Sequence, residues 1–505
     1  MITLYYFRGA MRLIYLITSC LIISISGKTQ KTFEFNAASI QAYQEITRLK
    51  IKIGRQLLEK SAQQNPHNLI PVMLGSYCDF YSLFFNEDPD EYNKLYPVFE
   101  QRLDELKEGP NSSPFYLYSQ AIVRIHRAGV SVKFGHLWDA GWDFRKAYLL
   151  LKENKKKFPG FSPNDLMFGA LQSVIGTIPK GYKWLANILG MNGSLTEGMK
   201  TVRNYTNSND GWAKFFFNES AFIYPYLLFY VDNKKEEALQ FIYQKKIDLV
   251  NNHLLAYMAT NITLNNKQIE SCKSIIQNRN KSDDYLQLSI WDFQMGYAKL
   301  YHLDIQEAKV YFEQFIHSFR GNFYIKDVYQ KLSWCYLLQG NMKKAEENRV
   351  LQLTKGSIDT DADKKALKDA KAAIWPNILL LKARLLNDGG YHNEAYKLLA
   401  NKTESSFEKI EEKLEFSYRI ARIFDDLGKD EEAIQKYLNA IKIGANRKEY
   451  FASRAAYQIG QIYEMRGLKE QAIAYYQKCI EMEDHEFKDS LDQRAKAGIA
   501  RCKGS

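Results

Sequence analysis

Proline is scarce in the second half of this chain. The sequence has 11 prolines in 505 residues, ten of them at or before Pro225, which leaves Pro376 alone in the remainder. Proline removes a backbone donor and clashes with the preceding helical turn, so its absence permits long uninterrupted helices. Little of either half alternates polar and apolar residues with period two. These absences disfavour a sheet protein and predict an all-α chain that divides near residue 225.

Paired cysteines and catalytic motifs are also lacking. The six cysteines form no CxxC pair, and without Cys20 an odd number remains, which predicts buried free thiols and not a disulfide framework. The motifs of zinc and serine hydrolases, of phosphate-binding loops and of dinucleotide-binding turns do not occur. We therefore predict a protein that is not an enzyme, with no catalytic, cofactor-binding or metal-ligating residues.

One acidic run has a spacing that resembles a metal site: Asp359, Asp361 and Asp363. A calcium loop that starts at Asp359 needs glycine at its sixth position and glutamate at its twelfth. The sequence has Lys364 and Ala370 there. The run is therefore interpreted as the Asp-capped start of a helix, with acids near the positive end of the helix dipole.

Long apolar runs are absent except near the N-terminus. Arg8 and Arg12 precede an apolar stretch over residues 13–25, and small residues follow it. This order is typical of a secretory signal, which we place at residues 1–27. The stretch is shorter than the roughly 20 residues that a membrane-spanning helix needs, so the mature chain is predicted to have no transmembrane helix.

A second interpretation of the same segment stays open. Residues 17–20 (ITSC) resemble a bacterial lipobox, in which Cys20 becomes the lipid-anchored N-terminus. Apolar residues follow Cys20 where a polar tether is usual, so cleavage near Gly27 is favoured, and a buried helix of a cytosolic protein is a third alternative. Translation can start at Met1 or Met11. We expect an exported protein in the periplasm or cell envelope of a bacterium, with peripheral envelope association left open.

Positive charge exceeds negative charge without being concentrated. The net charge is +11, from 69 Lys and Arg against 58 Asp and Glu, and the densest basic run, residues 152–157 (KENKKK), is typical of a solvated helix end. Nucleic-acid binding usually requires a concentrated basic face and a recognisable motif. The charge therefore predicts no nucleic-acid partner.

A glycine and an alanine five residues apart recur four times, which indicates a repeated helix–turn–helix unit. The four copies are residues 340–345 (GNMKKA), 390–395 (GYHNEA), 428–433 (GKDEEA) and 467–472 (GLKEQA). Upstream, Asn233 and Leu303 stand where these copies have glycine. Small residues recur around the two C-terminal copies at the spacing at which paired helices touch. They are Ala421, Ala433 and Ala440 in one unit, and Gly460, Ala472 and Cys479 in the other.

This part of the chain resembles the tetratricopeptide-repeat superfamily. The resemblance implies a right-handed α-solenoid superhelix whose concave face binds a partner protein or peptide. The clearest repeats span 414–447 and 453–486 within an array over 289–505, which ends in a capping helix over 488–502. Degenerate helical repeats are predicted over 226–288.

Residues 28–225 are predicted to form an N-terminal all-helical domain. Its segment 158–202 is similar to the inclusion-body-clearance and tetratricopeptide-repeat-39 family in its order of glycine-bounded apolar helices. The matching positions are Gly169, Pro179, Leu185, Leu189, Gly190, Gly193 and Gly198. Trp138 and Trp142 share one helix face. We interpret them as part of an aromatic core, with a ligand platform as the alternative.

The sequence thus predicts an exported, non-enzymatic scaffold that binds another protein through its repeat array. The alternative is an outer-membrane lipoprotein that binds glycans or nutrients. Lipidation of Cys20 discriminates between the two.

Overall fold

The computed structural model describes residues 30–177 and 190–503, and the predicted signal lies outside these ranges. The described residues form 25 α-helices and no β-strand, and the only extended pairing among them is an isolated bridge between Thr32 and Asn68. The predicted all-α class is confirmed. The chain forms two compact units, one of residues up to 233 together with 281–286, the other of residues 234–280 and 287 onward.

The N-terminal unit contains ten of these helices. They are α1 (Ala37–Ile46), α2 (Ile51–Gln64), α3 (Ile70–Asn86), α4 (Pro89–Leu106), α5 (Phe115–Lys133), α6 (Leu137–Lys157), α7 (Pro163–Gly176), α8 (Leu195–Thr206), α9 (Gly211–Phe215) and α10 (Phe217–Tyr226), which continues as a π-helical turn over Leu227–Val231. The segment 281–286 joins this unit because the Leu286 N–H donates to the Leu49 carbonyl at 2.8 Å.

Helix α3 is the centre of the N-terminal unit. Its sequence, IPVMLGSYCDFYSLFFN, is apolar almost all round, and residues on every side of it are buried. A helix of this kind requires neighbours on all faces. It packs against α1, α2, α4 and α5.

Helices α7 and α8 approach each other through glycine. A Cβ on Gly198 would lie 2.6 Å from the Gly169 carbonyl oxygen, and one on Gly193 would lie 2.6 Å from the Gln172 carbonyl oxygen. Only glycine permits backbones to come this close. Three of the glycines singled out in the sequence, Gly169, Gly193 and Gly198, therefore serve helix packing. Pro179, Leu185 and Leu189 lie outside the described residues.

The C-terminal unit contains the remaining helices. They are α11 (Lys235–Gln244), α12 (His253–Asn265), α13 (Ile269–Asn278), α14 (Ile290–Tyr301), α15 (Ile305–Ser318), α16 (Ile325–Leu338), α17 (Met342–Thr354), α18 (Asp361–Ala372), α19 (Ile378–Asp388), α20 (His392–Leu399), α21 (Ile410–Asp426), α22 (Asp430–Gly444), α23 (Phe451–Met465), α24 (Lys469–Glu481) and α25 (Lys488–Lys503).

Most of these helices pair as antiparallel neighbours in the chain: α14 with α15, α16 with α17, α19 with α20, α21 with α22, and α23 with α24. Helix α18 packs on α16 and α17 as an additional element, which explains the longer interval before the second copy of the glycine–alanine pattern. The unit is a series of helical hairpins, as the sequence predicts.

The turns of these hairpins adopt a left-handed conformation. Gly340, Gly390, Gly428 and Gly467 have φ of +75°, +89°, +71° and +74°. Glycine adopts this region without strain. Asn233 and Leu303, which replace glycine upstream, have φ of +57° and +65°. The left-handed conformation is therefore retained at positions where another residue stands in place of glycine.

The small residues of the two clearest repeats lie in helix contacts. Ala421, Ala433, Ala440, Ala472 and Cys479 are fully buried in one apolar cluster. Gly460 on α23 and Gly498 on α25 both lie against the Tyr476 ring, and a methyl group on either would overlap it. The predicted packing positions are confirmed at these residues.

Two sequence interpretations prove wrong. Trp138 and Trp142 do not join a core, since 79% and 51% of their surfaces are exposed at the start of α6. Helix α18 is capped by Thr360 and not by an aspartate: the Thr360 hydroxyl accepts the Asp363 N–H at 3.0 Å. Asp363 is buried and accepts the backbone N–H groups of Tyr324 and Asp327 at 2.8 and 3.1 Å. Its carboxylate therefore joins α18 to the start of α16.

Candidate partner-binding face

The first helices of successive hairpins in the C-terminal unit place arginine side chains close to one another. Arg384 lies on α19, Arg419 and Arg422 on α21, and Arg454 on α23. Lysines from α11 and from the turn after α12 approach the same region. We call this set the basic face: Lys235, Lys267, Arg384, Arg419, Arg422, Arg454 and Arg494.

Part of this charge is balanced within the same helices. Arg384 lies 3.4 Å from Asp388, and Arg419 lies 2.8 Å from Glu415, each one helical turn apart. Pairs at this spacing contribute only about 0.2–0.5 kcal/mol on an isolated helix. These ion pairs add little to the stability of the fold, and their main effect is to orient the guanidinium groups.

Asp426 is the acidic centre of the basic face. Its carboxylate accepts a hydrogen bond from Lys267 and another from Asn387 at 2.7 Å, and it lies 3.5 Å from Arg422. Burial alone would raise the pKa of Asp426, but Arg422 and Lys267 outweigh that effect and lower it. Asp426 therefore stays ionised and holds the turn after α12 against α21.

Positive charge is in excess at the C-terminal end of the basic face. In the described part of the chain, neither Arg454 nor Arg494 has a carboxylate partner. Loss of hydration lowers the pKa of Lys235, and Arg422, Arg494 and Arg454 lower it further because like charges disfavour its ionised form. Lys235 and these three arginines therefore form a cluster of like charges.

Aromatic rings flank the arginines. The Arg384 guanidinium lies 5.3 Å from the Trp334 ring centre, and that of Arg419 lies 5.4 Å from the ring of Phe451. Arginine and large aromatic residues are enriched where proteins bind one another. The basic face thus has the composition of a protein interface.

The sequence motifs did not reveal this face. Most of its arginines occupy the first helices of the last three hairpins and Arg494 lies on α25, whereas the glycine–alanine pattern marks the turn and the start of the second helix. Lys235 and Lys267 lie far from the arginines in the chain, so no local spacing joins them. Only the recurrence of arginine at repeat-length intervals, from Arg384 to Arg419 and Arg454, offered a signal.

Other site chemistry is sparse. Within residues 30–177 and 190–503, no group of three or more His, Cys, Asp or Glu side chains is placed to hold a metal ion, and no helix is long and apolar enough to cross a membrane. The described cysteines are free and buried, as expected: Cys78, Cys272, Cys335, Cys479 and Cys502. Burial raises the pKa of the Cys78 thiol to about 12, which makes it unreactive.

Comparison with known proteins supports the repeat assignment near the C-terminus. Residues 453–485 match the family model of the tetratricopeptide repeat. This segment covers the last hairpin, α23 and α24. No curated protein sequence matches the chain.

Several solved structures align with the chain at low identity. They include the APC/C hetero-tetramer Cut9–Hcn1 (11% identity, 93% of this chain and 96% of that one, TM-score 0.29), the P58(IPK) TPR domain (14%, 82% and 95%, 0.22) and the human IFIT1 dimer with PPP-AAAA (12%, 88% and 91%, 0.31). TM-scores of this size identify neither a partner nor an activity.

Proposed function

We propose that this protein is a non-enzymatic scaffold that binds an acidic segment of a partner protein on its basic face. The observation that carries the proposal is the cluster of Lys235, Arg454 and Arg494, in which the two arginines lack a carboxylate partner among the described residues. An acidic peptide would supply the missing anions. Arginine favours carboxylates because its planar fork can bind both oxygens at once.

The aromatic rings beside the arginines support a protein ligand. Arg384 lies over Trp334 and Arg419 over Phe451, so apolar surface adjoins the charged groups. A peptide that alternates acidic and apolar side chains would contact both. Tetratricopeptide repeats, one of which is matched by residues 453–485, typically present such surfaces.

Fluorescence anisotropy with labelled peptides tests the proposal. We expect a glutamate-rich peptide with interspersed leucines to bind, a lysine-rich peptide of equal length not to bind, and affinity to fall as salt increases. The double variant Arg454→Glu/Arg494→Glu should abolish binding. Lys442→Glu/Lys478→Glu is the matched control, since it reverses two exposed charges on α22 and α24, the second helices of the last two hairpins.

Two results would contradict the proposal. One is equal binding of the acidic peptide by both double variants, which would place the site elsewhere. The other is tighter binding of single-stranded RNA than of the acidic peptide, which would make the basic face a nucleic-acid site.

Export to the envelope of a bacterium is a further part of the proposal, supported by the residue order of 1–27. Mass spectrometry of the protein from its native cell distinguishes the alternatives. A mature N-terminus near Gly27 supports cleavage, a diacylated Cys20 supports the lipoprotein alternative, and an intact N-terminus contradicts export.

The resemblance of residues 158–202 to the inclusion-body-clearance family also stays a proposal. The close contact of Gly169 with Gly198 supports it, because it explains two of the matching positions. A role in that family's pathway is not proposed.

A further inference from the structure

An exposed apolar patch lies where helix α6 begins, in the N-terminal unit. Leu137 is 67% exposed, and Trp138 and Trp142, one helical turn apart, are exposed as well. Val132, near the end of the preceding helix α5, is a further exposed apolar residue. Neighbouring apolar side chains that face water together usually mark an interaction surface. The patch therefore indicates a partner that covers it.

The outer side of α6 extends this patch along the helix. Residues three and four apart share a helix face. We call one such set, whose members are exposed or half-exposed, the α6 stripe: Trp138, Trp142, Arg145, Leu149, Lys152 and Lys156. The opposite side of the helix is buried through Ala140, Asp143, Ala147, Leu151 and Asn154. The stripe is thus aromatic at its N-terminal end and basic at its C-terminal end.

The charge of the α6 stripe is positive throughout, since none of its six residues is Asp or Glu. The Arg145 guanidinium lies 5.9 Å from the Trp142 ring centre, so the first cation adjoins the aromatic end. Asp143 is buried on the other side of the helix, where it accepts hydrogen bonds from two arginines of α5. The exposed acids of α6, Asp139 and Glu153, lie beside the stripe. The stripe itself therefore favours a negatively charged surface.

We propose that the α6 stripe docks on an anionic phospholipid surface, with its tryptophans between the headgroups and the acyl chains and its lysines among the headgroups. Tryptophan is enriched at this boundary because its ring is apolar but carries an N–H donor. Basic side chains along one helix face are attracted to anionic lipids. A protein partner fits less well, because lysine is depleted in protein–protein interfaces. The inference does not depend on the proposed peptide site.

Co-sedimentation with lipid vesicles tests the proposal. The protein is the mature chain, residues 28–505, because the apolar residues 13–25 would themselves enter a membrane. One set of vesicles is phosphatidylcholine alone, and the other is equal parts of phosphatidylcholine and phosphatidylglycerol. We expect binding to the mixed vesicles, weaker binding to the neutral ones, and release from the mixed vesicles as salt increases. Binding should also shift the tryptophan emission to shorter wavelength.

Two double variants test the two ends of the α6 stripe. Trp138→Ser/Trp142→Ser should weaken binding to the mixed vesicles at least about tenfold, because it removes the apolar rings that enter the bilayer. Lys152→Glu/Lys156→Glu should weaken it at least about twentyfold, since each lysine near an anionic surface contributes about fivefold.

Each double variant has a matched control. Val350→Ser/Leu353→Ser removes two exposed apolar side chains from α17. Lys442→Glu/Lys478→Glu reverses two exposed charges on α22 and α24. Both controls should bind the mixed vesicles like the parent. If Trp138→Ser/Trp142→Ser does not fold by circular dichroism, Trp138→Ser provides the second test and should also weaken binding.

Three results would overturn the proposal. The first is the absence of binding to the mixed vesicles by the folded parent, and the second is parental affinity in both stripe variants. The third is dimerisation of the parent in sedimentation velocity that Trp138→Ser/Trp142→Ser abolishes, which would make the stripe an interface with a second copy. The acidic peptide is measured separately and depends on Arg454 and Arg494, so failure here is distinguishable from failure of the proposed scaffold function.

Discussion

The Glu219 carboxyl accepts a hydrogen bond from the Tyr77 hydroxyl at 2.9 Å, across 142 residues of sequence. Tyr43 donates to the other oxygen of the same group at 3.0 Å. The three side chains are buried and join helices α1, α3 and α10. Burial raises the pKa of Glu219 from 4.5 to about 7, against the opposing effect of the two tyrosines. This polar junction in the N-terminal unit therefore titrates near neutral pH.

We predict that Glu219→Gln removes a contribution to folding stability that declines as pH rises. Because the folded pKa of Glu219 exceeds its unfolded value, its contribution is complete below pH 4.5 and is lost as pH rises through about 7. The difference in stability between parent and variant should change by up to about 3 kcal/mol over this range. Thermal melts of both proteins from pH 4.5 to 8 provide the measurement.

The comparison with the variant is needed because His126 acts in the opposite direction. Burial lowers the pKa of His126 from 6.5 to about 3, so its contribution to stability grows as pH rises to 6.5. The two effects partly cancel in the parent alone. A difference between parent and Glu219→Gln that does not vary with pH would show that Glu219 is ionised when folded.

A second prediction concerns the glycine contact between α7 and α8. Gly198→Ala should destabilise the N-terminal unit by about 1–3 kcal/mol, because the new methyl group meets backbone atoms that cannot move aside. Gly211→Ala is the control, since no atom lies within 4 Å of its added Cβ. Urea unfolding followed by circular dichroism would measure both. Equal midpoints for the two variants would refute the contact.

A third prediction tests the packing of the last repeat. Ala472 is fully buried, so Ala472→Trp should overpack α23 and α24 and cost about 1–3 kcal/mol or more. Ala474→Trp adds the same side chain at an exposed position of the same helix and should have little effect. Calorimetric melting of the two variants measures this difference in stability. If Ala472→Trp melts like the parent, the repeat register is wrong.

A fourth prediction follows from the exposure of Trp138 and Trp142. Acrylamide should quench their fluorescence efficiently, whereas Trp291 and Trp334, which are 5% and 8% exposed, should be protected. Trp138→Phe/Trp142→Phe should therefore remove a readily quenched fraction of the emission. Trp291→Phe serves as the comparison. It removes a protected tryptophan, so the slope of its acrylamide quenching curve should be steeper than that of the parent. Similar curves for both variants would argue that α6 is covered in solution.

The predictable parts of the fold are the contacts between residues that lie close together in the sequence. Ala433 and Ala472 could be placed in helix contacts because a hairpin brings together residues that are close in the chain. The Tyr43–Glu219 and Lys267–Asp426 contacts were invisible, since they join residues 176 and 159 apart. Trp138 was misplaced because aromatic spacing on a helix says which residues share a face and not whether another helix covers it.

The contact of Lys267 with Asp426 also bears on how the C-terminal unit comes apart. A purely linear array loses its hairpins one at a time from the ends, since each touches only its neighbours. Here the turn after α12 packs against Gly390 and binds α21, so the early helices are tied directly to the late ones. Such a closure slows folding, because distant segments must meet first. It should also make the whole unit unfold in a single step when its ends are pulled apart.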